Sequence, residues 1–121
     1  MVKLKKTILV ADDNDGIVAS LTMALEYGGY EVTSIMNGKE VKKITAPFPD
    51  LIFLDIWMVG VNGLDVCKYL KAQQATKHIP IVMISAYPNA SASALEAGAD
   101  DFIEKPYTVA DMLAIAGKYT D

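Results

Sequence analysis

Three short stretches of the chain are apolar at every position: Ile8-Leu9-Val10-Ala11, Leu51-Ile52-Phe53-Leu54 and Ile81-Val82-Met83-Ile84. A run with no polar partner face suits a strand covered on both sides, as in a parallel sheet. Residues 30–35 are strand-like, and Phe102-Ile103 between acids at 101 and 104 completes a set of candidate strands. Helical spacing fills the intervals. Ile17, Leu21, Ala24 and Leu25 form an apolar stripe that stops at Gly28-Gly29. Asn37-Gly38 opens a lysine-rich helix with Val41 and Ile44 on its inner face, ended by Pro47 and Pro49. Leu64, Cys67 and Leu70 predict a third helix. Residues 89–98 are rich in Ala and Ser, with Leu95 as the single large apolar side chain, which predicts a thinly anchored helix. Val109, Met112, Leu113 and Ala116 form the last stripe. Strand and helix thus alternate along the whole chain, which predicts an α/β domain with a parallel sheet and helices on both faces. No linker, repeat or low-complexity tract interrupts it, so residues 1–121 are expected to form one domain.

Composition narrows the picture. With 121 residues, 52% of them hydrophobic and 21% charged, the chain can bury a real core. Net charge is −4 and all 11 basic residues are lysine, which argues against direct nucleic-acid binding. The single cysteine, Cys67, has no internal partner and lies in an apolar helical pattern, so it reads as a buried small hydrophobe in a reducing compartment. The longest apolar stretch, residues 51–61, is broken by Asp55 and too short for a bilayer, and no signal peptide is visible. A soluble cytoplasmic protein is expected.

Parallel α/β sheets gather their chemistry at the carboxyl ends of the strands. Asp12 and Asp13 follow the first apolar run, Asp55 the next, Ser85 the one after, and Lys105-Pro106 the last. Three carboxylates meeting at one edge repel one another and need a positive counterpart. Lys105 supplies one charge, and a hard cation such as Mg²⁺ supplies the rest. Such a metal beside a carboxylate, a hydroxyl and an ammonium is a site shaped for a phosphoryl group, with Asp55 as the candidate nucleophile. Taken singly, the residues have plainer readings. Asp12 or Asp13 can cap the following helix, Ser85 can be a turn residue, and Lys105 a solvated charge. An unpaired carboxylate ending a buried strand is costly, which favours a functional role for Asp55.

These stretches resemble the receiver domains of bacterial response regulators over essentially the whole chain. The resemblance is carried by Ile8-Leu9-Val10-Ala11-Asp12-Asp13, by Asp50 and the run through Asp55-Ile56-Trp57-Met58, and by Asn62-Gly63. It continues through Ile81-Val82-Met83-Ile84-Ser85-Ala86, Ala97-Gly98-Ala99-Asp100-Asp101-Phe102 and Lys105-Pro106-Tyr107. It implies a single doubly wound (βα)5 flavodoxin-like domain with strand order 2-1-3-4-5, as in a chemotaxis member of that family. It also implies that Asp55 takes a phosphoryl group from a sensor histidine kinase or a histidine phosphotransfer protein. Asp13, Asp55 and the backbone carbonyl of Trp57 would bind Mg²⁺ directly, with Asp12 assisting. Lys105 would pair with the carboxylate and then with the phosphoryl group. Ser85 would bind that group and draw its loop inward, and Phe102 would act as the switch aromatic. The Lys105-Pro106 peptide would be cis. Phosphorylation would then bias the surface around the fourth helix, last strand and last helix toward a downstream output domain or protein.

Some positions depart from the family pattern. Val59, followed by Gly60, stands where proline is common, implying a more flexible loop. Phe102 replaces a tyrosine, so a switch there acts by packing alone. Trp57 and Tyr87 are bulky where the hydrolytic water passes in this family, implying slowed self-dephosphorylation. The arginine pairs that support one family dimer are missing, so a monomer or weak dimer is expected. Three rival readings compete with this one. Asp13-Asn14-Asp15-Gly16 resembles the aspartyl-nucleophile motif of haloacid-dehalogenase-type phosphatases, with Ser85, Lys105 and Asp100-Asp101 as later motifs, but this leaves Asp55 unexplained. A calcium loop fails because Ala11 and Thr22 fall on required ligand positions. A receiver that is never phosphorylated and serves only to bind a partner stays open at this point.

Overall fold

The computed structural model describes residues 5–120; the expected domain ends, residues 1–4 and 121, lie outside the described residues. The three apolar runs become the inner strands β1 (Thr7–Ala11), β3 (Leu51–Asp55) and β6 (Ile81–Ser85). With β2 (Glu31–Ile35) and β7 (Asp101–Glu104) they form a sheet in the order β2-β1-β3-β6-β7. Every neighbouring pair is parallel. Counting only the strands of this sheet, the order is the expected 2-1-3-4-5, and the fold is the doubly wound flavodoxin-like one. Every residue of β3 and β6 is buried, as a strand covered on both faces requires.

Strand side chains alternate between two cores. Ile8, Val10, Leu51, Phe53, Val82 and Ile84 pack against α1 (Asp15–Tyr27) and α5 (Val109–Thr120). Leu9, Ala11, Ile52, Leu54, Ile81 and Met83 face α2 (Gly38–Val41), α3 (Gly63–Ala72) and α4 (Ala90–Glu96). Cys67 is fully buried in the second core, and burial pushes its thiol up to about 11. Among the described residues, no helix is long and apolar enough to cross a membrane.

Several expectations need correction. The helix after Asn37 is a single turn, not one that runs to Pro47. The Lys43 and Ile44 amides bond back to the Glu40 and Val41 carbonyls, closing four-residue turns. Only Gly38 and Val41 of α2 are buried, so too little apolar surface favours extending it. Val18 joins Leu21, Ala24 and Leu25 on the buried line of α1, with Ile17 half-buried against the same core. Val109 is exposed, and the inward stripe of α5 begins at Met112. Tyr30 precedes β2, and its hydroxyl shares a hydrogen bond with Thr120 Oγ1 at 3.1 Å. Unforeseen in the sequence, β4 (Trp57–Met58) and β5 (Val61–Asn62) pair as a small antiparallel hairpin after β3. The fourth helix is even more thinly anchored than its sequence suggests. Leu95 points to solvent and only Ala94 within α4 is buried.

Candidate functional site

The parallel register delivers the candidate residues to one edge of the sheet. Asp12 follows the last residue of β1, Asp55 and Ser85 end β3 and β6, and Lys105 follows β7. Asp55 lies beside Ile84 in the β3–β6 ladder, and Ser85 beside Glu104 in the β6–β7 ladder. The Lys105 amide bonds to the Ser85 carbonyl at 2.9 Å, which ties its side chain to this edge. The Lys105-Pro106 peptide is cis, as the resemblance implied.

Asp12 is almost fully buried. Its Oδ1 accepts from the Asn14 amide at 3.0 Å, and its Oδ2 lies 3.4 Å from Lys105 Nζ. Neither Asp12 nor Asp13 caps α1. Asn14 does so, accepting from the Ile17 amide at 3.0 Å, so the capping reading of the acidic pair is wrong. Asp13 is half-buried, and its Oδ2 accepts from the Val59 amide at 2.6 Å. Asp55 Oδ1 lies 3.7 Å from Lys105 Nζ. One carboxylate oxygen from each of Asp12, Asp13 and Asp55 falls within 4.8 Å of the others.

This geometry sets the acidity of Asp55. Burial is the main cause, with the Asp12 charge next, and together they push its carboxyl up to about 6 from 3.8. The Lys105 ammonium and the Trp57 amide pull the other way, and Asp13 adds a smaller upward push. The residual excess of negative charge is what a divalent cation offsets. An all-oxygen set of carboxylates fits Mg²⁺ or a similarly hard ion. Tyr107, which sequence reasoning noted only as part of a motif, is half-buried nearby. Burial first, then the Asp12 and Asp55 charges, hold its phenol up at about 12.

One glycine and one aromatic pair shape the surroundings. A Cβ on Gly63 would run into the carbonyl oxygen of Asp55, and the Gly63 amide donates to the Ile56 carbonyl at 2.6 Å. Asn62 caps α3 through the Leu64 amide at 2.8 Å, which brings the start of that helix against the Asp55 loop. Ser85 is buried, its Oγ accepting from the Tyr87 amide at 3.0 Å. Trp57 and Tyr87 stand mostly exposed above it, edge to face with ring centroids 6.2 Å apart. They border a cleft of about 570 Å³ whose walls include Ile56, Leu64, Pro88 and Ala90. Phe102 is half-buried against the core that contains Ala94 and Ala97.

The phosphatase-like reading is not completed, because Asp100 and Asp101 lie away from Asp13, Ser85 and Lys105. Asp100 binds the Ile81 amide and the Lys71 ammonium at 2.8 and 2.7 Å. Asp101 pairs with Tyr119 and Lys118. Ile81 and Asp101 begin their strands, so both acids lie at the edge opposite Asp55.

Comparison with known proteins agrees with this arrangement. Residues 8–116 match the response regulator receiver domain. Alkaline phosphatase synthesis transcriptional regulatory protein PhoP of Bacillus subtilis is 39% identical over 108 residues, spanning 87% of this chain and 44% of the relative. The chain thus spans about half the length, or less, of the curated relatives it matches. The crystal structure of the receiver domain of NtrX from Brucella abortus is 33% identical with a TM-score of 0.84, covering 93% of this chain and 97% of its own. The signal receiver domain of a signal transduction histidine kinase from Syntrophus aciditrophicus is 30% identical with a TM-score of 0.87, covering 95% and 89%.

Proposed function

The chain belongs to the response regulator receiver domain family of two-component signalling, and from that premise we propose that Asp55 is its phosphoacceptor. The observation that carries this reading is the position of Asp55: at the end of a fully buried strand, 3.7 Å from Lys105, with Asp12 and Asp13 beside it. An Asp55 oxygen forms a bond to phosphorus as the P–N bond to a donor imidazole breaks. The product is an acyl phosphate, and the imidazole leaves with the electron pair. Asp12, Asp13, Asp55 and the Trp57 carbonyl would hold Mg²⁺, whose charge favours the transfer by neutralising phosphoryl oxygens. Lys105 leaves its pairing with Asp12 and Asp55 to meet the incoming phosphoryl oxygens. Ser85 donates its hydroxyl to the same group, since the bond its Oγ accepts from the Tyr87 amide leaves the O–H free.

The donor is a sensor histidine kinase or a histidine phosphotransfer protein. The chain catalyses its own phosphorylation and dephosphorylation, and acts as a signalling unit rather than as a metabolic enzyme. Thinly anchored α4 and half-buried Phe102 are the elements best suited to change position when Ser85 moves. The output is a further domain or a separate protein, reached without direct nucleic-acid contact, by a cytoplasmic monomer or weak dimer whose receiver unit spans residues 1–121.

The test is incubation with acetyl phosphate and Mg²⁺, read as phosphoprotein on a phosphate-affinity gel. Retarded protein that disappears in Asp55→Asn and after chelation of the metal is the expected result. A chain that binds Mg²⁺ yet never accepts phosphate, even from a panel of kinases, would instead be an interaction module.

A further inference from the structure

The three carboxylates of the site are not held equally well. Asp12 is buried and fixed by the Asn14 amide and by Lys105. Asp55 is buried at a strand end. Asp13 is more open, and among the described residues its side chain has one hydrogen-bond partner, the Val59 amide, at 2.6 Å. That amide belongs to the tip of the β4–β5 hairpin, so residues 46 positions apart in the chain are joined there.

The donor exists because of what residue 59 is. A proline there would have no N–H to give. The tip itself would accept one. Val59-Gly60 is a two-residue connection between paired Met58 and Val61. Gly60 has φ +77, while no non-glycine residue described has a positive φ. Negative φ followed by positive φ is the type II pattern, in which proline is common at the first of the two positions. Met58, in a strand, already has the extended backbone that a following proline demands.

We infer that the backbone N–H of Val59 is a positioning donor for the metal site: it fixes the Asp13 carboxylate through Oδ2 in an orientation that keeps an oxygen of it beside those of Asp12 and Asp55, ready for a divalent cation. This rests on the reading of the acidic cluster as a Mg²⁺ site. The physical reasons are ordinary ones. A half-exposed carboxylate samples several rotamers, and ordering it costs free energy that would otherwise come out of ion binding. A charge-assisted bond from a backbone amide orders it beforehand. The assembled geometry fits this role, because an oxygen of Asp13 stays within 4.8 Å of oxygens of both other acids while the amide is engaged.

Two variants separate the backbone from the side chain. Val59→Ala keeps the N–H, and Val59→Pro removes it from a turn that tolerates proline. Mg²⁺ affinity is measured by titration calorimetry on both and on the wild type. Val59→Ala should bind as the wild type does. Val59→Pro should bind about tenfold more weakly, the lower end of what ligand-orienting groups contribute, since Val59 stands in solvent. Affinity in Val59→Pro equal to or above the wild type overturns the inference while leaving the metal site intact. A wild type that binds no Mg²⁺ overturns the reading of the site and the inference with it. Should Val59→Pro fail to fold, hydrogen exchange at the Val59 amide of the wild type decides. Protection that persists with saturating Mg²⁺ supports the role, and protection lost on adding Mg²⁺ means that the cation pulls Asp13 away from the amide.

Discussion

Lys105 Nζ stands 3.4 Å from Asp12 Oδ2, closer than its 3.7 Å to Asp55 Oδ1. The ammonium is therefore shared between the two buried acids and lies nearer to Asp12. Asp55 is left under-compensated, which keeps it both more basic than an ordinary aspartate and free to meet an electrophile.

Removing that ammonium should slow chemistry more than it harms folding. In Lys105→Ala the transferring phosphoryl group loses a charged partner, and the rate of phosphorylation from acetyl phosphate should fall about 100-fold. Mg²⁺ binding should be retained. Stopped-flow measurement at saturating Mg²⁺ checks this, and a rate within a few-fold of the wild type would remove Lys105 from the mechanism.

The weakened acidity of Asp55 makes a prediction about stability without metal. Its carboxyl holds its proton more tightly folded, near 6, than unfolded, near 3.8. Its contribution is therefore present below about pH 4 and lost as pH rises through 6, a loss on the order of 2–3 kcal/mol. Asp55→Asn lacks this dependence. Urea unfolding in EDTA should show the stability advantage of Asp55→Asn growing between pH 4 and pH 7. A difference that stays flat over that window would mean that Asp55 ionises freely.

Gly63 is required by a close approach. Any side chain there meets the Asp55 carbonyl oxygen and the Ile56 backbone. Gly63→Ala should cost about 1–3 kcal/mol, typical of overpacking, and displace the loop that carries Trp57. Chemical denaturation and the Trp57 emission maximum report both effects. A variant as stable as the wild type, with unchanged emission, would show that α3 can retreat freely.

Trp57 and Tyr87 form an edge-to-face pair over the acceptor edge. Their bulk should obstruct a water approaching the acyl phosphate, so Trp57→Ala should shorten the lifetime of the phosphorylated protein several-fold. Decay after removal of the donor measures it, and an unchanged lifetime would exclude this shielding.

Much of this arrangement was legible in the chain. A fully apolar run can hardly be anything but a covered strand, so the polar residue that ends each run marks the sheet edge, and Asp12, Asp55, Ser85 and Lys105 were found this way. What escaped has physical causes. The hairpin at residues 57–62 has strands of two residues, too short for any periodicity. The cap passed to Asn14 because residues of one capping class stand in a row, and spacing alone does not choose among them. The Val59 amide was invisible because a backbone donor leaves no mark in the side-chain pattern. Gly63 was visible as a motif, but the clash that demands it needs coordinates.

The central claim is that the phosphoryl group resides on Asp55, and borohydride reduction tests it most directly. Protein phosphorylated with acetyl phosphate and Mg²⁺ is treated with borohydride, which converts an aspartyl phosphate to homoserine, and the altered residue is located by peptide mass spectrometry. Homoserine at position 55, and nowhere else, is the predicted result. Homoserine at Asp12 or Asp13, or stable phosphate on Ser85 with Asp55 untouched, would contradict it.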